Sequence, residues 1–195
     1  MEKSFRIAGI VLAAGLSKRA GPENKLLADV GGRPMIARVI ETVGNSGLDP
    51  VIVVTGHQAV EVRRVIGGLG VQVQENPDYE QGMGTSIKCG IEALPGDIDG
   101  AVICLGDMPE IKPETIQRLV QAFDPNAGYG ICVPVKDGRR GNPVLFGVEF
   151  FSSLRDLGGD HGGRKIIAAH PERVCEVAVD DEGVLVDYDA PKENR

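Results

Sequence analysis

Short, wholly apolar runs alternate along this chain with longer stretches whose apolar residues recur every three to four positions. Residues 7–12 (IAGIVL), 50–55 (PVIVVT) and 100–105 (GAVICL) carry no charge. Runs of that kind, bounded by turn residues, read as strands buried on both faces. Between them, residues 34–45 open on proline and set Met35, Ile36, Val39, Ile40 and Val43 on one helical face. Val62, Val65, Ile66 and Leu69 repeat at helical spacing, as do Ile116, Leu119, Val120 and Phe123. Residues 71–74 add a short strand that leads to the turn signal Asn76-Pro77, and residues 82–94 add a helix that Thr85 or Ser86 would cap. Strands alternating with helices predict a parallel sheet covered by helices.

The last third departs from that alternation. Residues 129–135 and 143–146 read as strands joined by the polar loop 136–142, a hairpin rather than another β–α–β unit. A glycine-rich loop at 158–164 leads into a short helix through Ile167, and residues 174–179 and 184–186 close the chain as strands. With no internal repeat or low-complexity linker, residues 1–195 read as one domain.

Composition narrows the function classes. The chain has no tryptophan and few aromatics, so its core has to be aliphatic, which suits a parallel sheet. A net charge of −7 and a pI near 5.0 argue against a nucleic-acid or anionic-membrane partner. Yet residues 16–33 hold Lys18, Arg19, Lys25 and Arg33 against Glu23 and Asp29 only, a basic island suited to a small anionic ligand. Cys89, Cys104, Cys132 and Cys175 form no C-x-x-C pair. Three of them lie in apolar runs as small core residues, so neither a disulfide framework nor a zinc site is expected. No apolar run approaches the roughly 20 residues of a membrane span, and a soluble, cytoplasmic protein is expected.

The chemistry concentrates at strand ends. Residues 7–12 break into Ala13, Ala14 and Gly15, whose near-absent side chains let a ligand lie against backbone N–H groups. Lys18, Arg19 and Lys25 then set positive charge where polyphosphate oxygens would sit. An ordinary solvated turn would carry the same residues, and the spacing fits neither a dinucleotide fingerprint nor a P-loop. Asp107 ends the run 100–105, where open α/β sheets present ligands, and a carboxylate beside a phosphate loop is what a magnesium–nucleotide site needs. A turn or capping aspartate is the alternative. Asp187 and Asp189 fall in a segment, 174–191, without lysine or arginine, and either could supply a second carboxylate. His57, His161 and His170 have no metal or triad spacing, and no G-x-S-x-G elbow is present, so covalent catalysis has little support. Gly82-x-Gly84 meets Ile87 where a nicotinamide-binding fingerprint needs its third glycine.

Taken in order, L-A-A-G-x-S-x-R-x-G…K-L-L, G-M-G-T-S-I, G-D-M-P, R-G-N-P-V-L-F, G-D-x-G-x-R and V-D-Y-D-A-P resemble the MobA/MocA-like nucleotidyltransferases over residues 7–191. Within that family the chain looks most like the molybdenum cofactor cytidylyltransferase branch. The resemblance implies a Rossmann-like three-layer α/β/α nucleotidyltransferase fold, mostly parallel with a small antiparallel part. It implies an enzyme that moves a nucleoside monophosphate from an NTP to a phosphorylated acceptor of molybdopterin type and releases pyrophosphate, with Mg2+ as cofactor. By that resemblance Leu12, Ala13, Ala14 and Gly15 meet the nucleotide, and Arg19 and Lys25 hold the triphosphate. Gly82, Gly84 and Ser86 complete the base pocket. Asp107 binds Mg2+ with Asp189, and Asp187 stands behind it. Arg140, Asn142, Asp160 and Arg164 face the acceptor, and a molybdoenzyme or its chaperone is a conceivable protein partner. L-A-A-G leans toward CTP, since the guanylyl branch more often has a second glycine at its third position. The alternatives are a guanylyltransferase, a member with another acceptor, or a non-catalytic nucleotide-binding accessory protein. Ala20 stands where Met or Phe is usual, Asn142 where the branch often has His, and Ala190 where Thr is usual.

Overall fold

The uncharged runs form the centre of one eight-stranded sheet in the computed structural model, which describes residues 5–16 and 24–188. In chain order the elements are β1 (Ile7–Ala13), α1 (Met35–Gly44), β2 (Val51–Thr55), α2 (Ala59–Ile66), β3 (Gln72–Glu75), α3 (Met83–Glu92), β4 (Gly100–Leu105), α4 (Pro113–Ala122), β5 (Ile131–Lys136), β6 (Arg139–Arg140), β7 (Val144–Gly147), α5 (Phe151–Arg155), α6 (Arg164–Ala169) and β8 (Val174–Ala178). The strand order is β3-β2-β1-β4-β7-β5-β6, with β8 also on β5. β1 pairs parallel with β2 and β4, and β2 with β3. β7 is antiparallel to both β4 and β5, while β8 is parallel to β5. Six strands therefore share one direction, and their carboxyl ends line one edge.

Alternation along β1 explains the layers. Ile7, Val11 and Ala13 join a core with Ile36, Ile40 and Val43 of α1, Val62 of α2 and Leu119 of α4. Ala8 and Ile10 point the other way, to Ile87 and Ile91 of α3, Leu154 of α5 and Ile167 of α6. Two aliphatic cores thus flank the sheet, giving the three-layer α/β/α arrangement expected from the motifs. The helices seat closely: a Cβ on Gly90 of α3 would fall 2.6 Å from a methyl of Ile10. Cys104 and Cys132 are core residues, and burial pushes both thiols up to about 12. Cys175 is half-buried, and all four cysteines are free.

Three expectations need correction. The hairpin forms, through Ile131↔Phe146 and Cys132↔Leu145. However, β7 is inserted between β4 and β5, and β8 returns parallel to β5, so the alternating pattern resumes through α5 and α6. Residues 184–186 do not form a strand, because Glu182–Leu185 is a 3-10 turn. The Asp181 carboxylate gathers the Gly183 N–H at 3.0 Å, and Gly183 lies so close to the Glu110 carbonyl that a Cβ there would approach to 2.5 Å. Finally, neither Thr85 nor Ser86 caps α3. Gly82 occupies that position, in a conformation (φ 110°) that favours glycine, and both hydroxyls lie inside the first turn.

Candidate active site at the carboxyl edge of the sheet

Glycines and small residues bring the ends of β1, β2 and β4 together. Gly106 N donates to Leu12 O at 3.0 Å, and His57 N donates to Ala14 O at 3.2 Å. A Cβ on Gly106 would meet that Leu12 carbonyl at 2.7 Å, so the turn after β4 can pass only as glycine. Ala13 is wholly buried and Ala14 nearly so, which leaves Gly15 exposed and Leu12 half-buried as the surface of the opening turn.

Lys25 opens a 3-10 turn, Lys25–Leu27, whose cap is the buried Asn24. Asn24 Oδ1 accepts from Leu26 N at 3.1 Å, and its Nδ2 donates to His57 O at 3.3 Å, which ties the turn to the end of β2. This anchoring aims Lys25 across the edge, where Nζ donates to Asp107 Oδ2 at 2.7 Å with both side chains about one-fifth exposed. Asp107 Oδ1 receives no hydrogen bond from a described residue. Tyr188 N donates to Asp107 O at 2.8 Å, which straps the C-terminal segment alongside and places Asp187, exposed, next to the β4 turn.

A cavity of about 240 Å3 opens at the end of β4, where Leu105, two residues before Asp107, is part of its lining. Its floor is aliphatic and aromatic, including Ile103 and Leu105 of β4, Val144 and Phe146 of β7, and Ile167 of α6. Asn142, Asp160 and Arg164 supply the polar part of its lining. Three of the four residues expected at the acceptor are therefore brought together. The fourth is not: Arg140 sits on β6 and pairs with Glu176 of β8 at 2.7 Å, both strands being paired to β5 rather than to each other.

Gly82 and Gly84 serve close packing against the second glycine-rich loop. Gly84 N donates to Gly159 O at 2.9 Å, and a Cβ on Gly82 would lie 2.4 Å from the Gly159 carbonyl carbon. Ser86 is buried at 5% exposure, where Asn76 Nδ2 donates to its Oγ at 3.0 Å and to Thr85 Oγ1 at 2.9 Å. Arg19 and Asp189 lie outside the described residues. Among the described residues no cluster of three or more histidine, cysteine or acidic side chains could cage a metal.

Sequence reasoning read Asn76 only as a turn residue and missed Asp181 and the Tyr188 strap. Asn76 carried a signal, Asn before Pro, and its Oδ1 does accept from Asp78 N. Asp181 carried a fainter one, the D-x-G spacing of an Asx turn. The strap is a backbone contact between distant segments and has no local signature.

A mostly parallel sheet with a lysine–carboxylate pair at its carboxyl edge sets these groups where open α/β folds bind their ligands. Residues 9–174 match the MobA-like NTP transferase domain, and the chain belongs to that family. The Bifunctional protein GlmU of Kineococcus radiotolerans is 34% identical over 144 residues, 72% of this chain and 28% of that protein. The chain spans about a third or less of the length of its GlmU relatives. The Purine catabolism protein PucB of Bacillus subtilis is 29% identical over 98% of this chain and 95% of its own. Among solved structures, Rv0371c of Mycobacterium tuberculosis superposes with a TM-score of 0.83 at 27% identity, covering 96% of this chain and 94% of that one. The same protein has been solved in complex with manganese.

Proposed function

We propose that this protein transfers CMP from CTP to a phosphorylated acceptor of molybdopterin type, with Mg2+ as cofactor and pyrophosphate as leaving group. The observation that carries this reading is the Lys25–Asp107 pair at the sheet edge, with a cavity lined by Leu105, Asn142, Asp160 and Arg164 at the end of the same strand, β4. The family membership supplies the reaction class, and the resemblance to the cytidylyltransferase branch supplies base and acceptor.

An acceptor phosphate oxygen attacks the α-phosphorus in line, the P–O bond to the β-phosphate breaks, and pyrophosphate leaves with the bonding pair. No protein nucleophile is needed. Lys25, with Arg19, offsets charge on the β- and γ-phosphates as the leaving group forms. Arg164 and Asn142 orient the acceptor, and the apolar floor under them keeps water from the attacking face. Asp107 fits a divalent ion because it is a largely sheltered carboxylate whose Oδ1 receives no hydrogen bond from a described residue, and Asp187 precedes the strapped Tyr188 beside it. Such an ion would polarise the phosphates and reduce repulsion between the two anionic substrates. A manganese complex of the structurally similar Rv0371c supports a divalent metal here.

The test is pyrophosphate release from CTP, GTP, ATP and UTP against molybdopterin and a set of phosphorylated small molecules, with Mg2+. Release with CTP and molybdopterin is the expected result. Release with GTP instead, with a different acceptor, or with none would replace the corresponding part of the reading.

A further inference from the structure

Cys132 of β5 and Cys175 of β8 stand opposite one another in the register of two neighbouring parallel strands. Residues paired in this way send their side chains to the same face, here the one covered by Leu119 of α4 and by Phe123. Neighbouring strands run about 4.8 Å apart, inside the span of about 4.4–6.8 Å between Cα atoms that a disulfide bridges. We propose that these two cysteines are an oxidisable dithiol, which hydrogen peroxide converts to a disulfide linking β5 to β8. The inference does not rest on the proposed reaction.

The two thiols are unequal, and the difference sets the order of events. Cys132 is fully buried, and burial, with the Cys175 thiol beside it, pushes its thiol up to about 12. It stays protonated and out of reach of an oxidant. Cys175 is half-buried, on a strand that pairs only with β5 among the described residues, so its sulfur reacts first. The Cys175 thiolate attacks one peroxide oxygen, the O–O bond breaks, and the departing hydroxide takes up the proton that the thiol gave up. The products are water and a sulfenic acid. The Cys132 sulfur then attacks the Cys175 sulfur, the S–O bond breaks, and the hydroxide that leaves carries off the Cys132 proton. Two thiols and one peroxide become one disulfide and two waters, the sulfurs supplying the two electrons that the peroxide gains. The other cysteines lack such a neighbour. Cys89 Sγ donates to Glu75 O at 3.6 Å, and Cys104 is buried in β4, whose flanking strands β1 and β7 hold no cysteine. The new bond closes a covalent loop around β6, β7, α5 and α6, the segment that carries Asn142, Asp160 and Arg164.

The test treats the reduced full chain with hydrogen peroxide, beside its Cys89→Ser, Cys132→Ala and Cys175→Ser variants. The unaltered chain and Cys89→Ser are expected to lose two titratable thiols and the mass of two hydrogens, with peptide mapping joining Cys132 to Cys175 and dithiothreitol restoring both thiols. The closed form should melt about 5 °C or more above the reduced form, because the link shortens the free chain of the unfolded state. Cys132→Ala should stop at the Cys175 sulfenic acid, trapped as its dimedone adduct, and Cys175→Ser should leave Cys132 unreacted. If Cys175 of the unaltered chain advances to sulfinic acid, or if both thiols survive peroxide that oxidises Cys89, the pair is packing alone and the dithiol is wrong. A mapped link that does not raise the melting temperature overturns the restraint on the loop. Cys132→Val replaces Cys132→Ala should the latter not fold, as judged by thermal melting.

Discussion

Two turns at the same sheet edge each carry an aspartate, and they differ in how completely that aspartate is satisfied. After β8, Asp181 is buried at 2% exposure. Its carboxylate accepts from Thr115 Oγ1 at 2.6 Å, Lys112 N at 2.9 Å and Gly183 N at 3.0 Å. After β4, Asp107 has one side-chain hydrogen-bond partner among the described residues, Lys25, and an Oδ1 that receives no hydrogen bond from any of them. The first carboxylate is consumed in holding α4 to the C-terminal segment. The second is held in place by its backbone and left available. Type and position in sequence do not separate these two roles, whereas the number of donors around each oxygen does.

Substitutions sharpen that contrast. The largest effect is expected from Asp107→Ala, which cuts turnover by roughly a thousandfold or more, with Lys25→Ala costing about 10^2–10^3-fold. Both should melt close to the unaltered chain. Pyrophosphate release and thermal denaturation measured on the same samples check this, and near-normal turnover in either variant removes that residue from the mechanism. Asp181→Ala should behave in the opposite way. It strands three buried donors, costs about 2–4 kcal/mol and lowers the melting temperature by roughly 5–15 °C, while turnover per folded molecule stays within about twofold. A catalytic loss without a stability loss at Asp181 would collapse the distinction between the two turns.

Smaller effects test the surroundings. Asn76→Ala removes the donor to Thr85 and Ser86 and the acceptor for Asp78 N, at about 1–3 kcal/mol. It should appear as faster hydrogen exchange at the first turn of α3. The smallest effect belongs to Lys136, whose hydrogen bond to the fully exposed Asp180 raises the lysine above its ordinary 10.5 and lowers the aspartate below its ordinary 3.8. The lysine's contribution is complete below 10.5 and fades at higher pH, and the aspartate's is complete above 3.8 and fades in acid. Melting curves of the unaltered chain and Lys136→Met should therefore differ by a constant offset of less than about 2 °C from pH 5 to 9, closing in high salt.

The central strands were legible because β1, β2 and β4 are buried on both faces, and such burial demands an uncharged run that no exposed segment imitates. Helical faces were legible for α1, α2 and α4 through the spacing of their aliphatic residues. The insertion of β7 was not, since a short strand of four residues reads alike beside one neighbour or between two. Residues 184–186 show how tertiary contacts override local preference. Three residues, Val-Leu-Val, favour a strand, but the buried Asp181 and the tight Gly183–Glu110 approach close the backbone into a turn. At the site, Asp107 was legible from its place after an apolar run and Lys25 from the basic island. Their mutual contact, 82 residues apart in sequence, was not. The pairing of Arg140 with Glu176 was not legible either, since Glu176 lies on a strand read only as a strand.

The seam between residues 82–84 and 157–160 has a bearing on engineering. A backbone N–H of one segment is bonded to a carbonyl of the other, and neither Gly82 nor Gly84 has room for even a methyl group. On the proposed assignment of 82–86 to the base and Asp160 to the acceptor, reshaping the first segment would push the loop that carries the second, so a change of donor preference and a change of acceptor preference are expected to arise together.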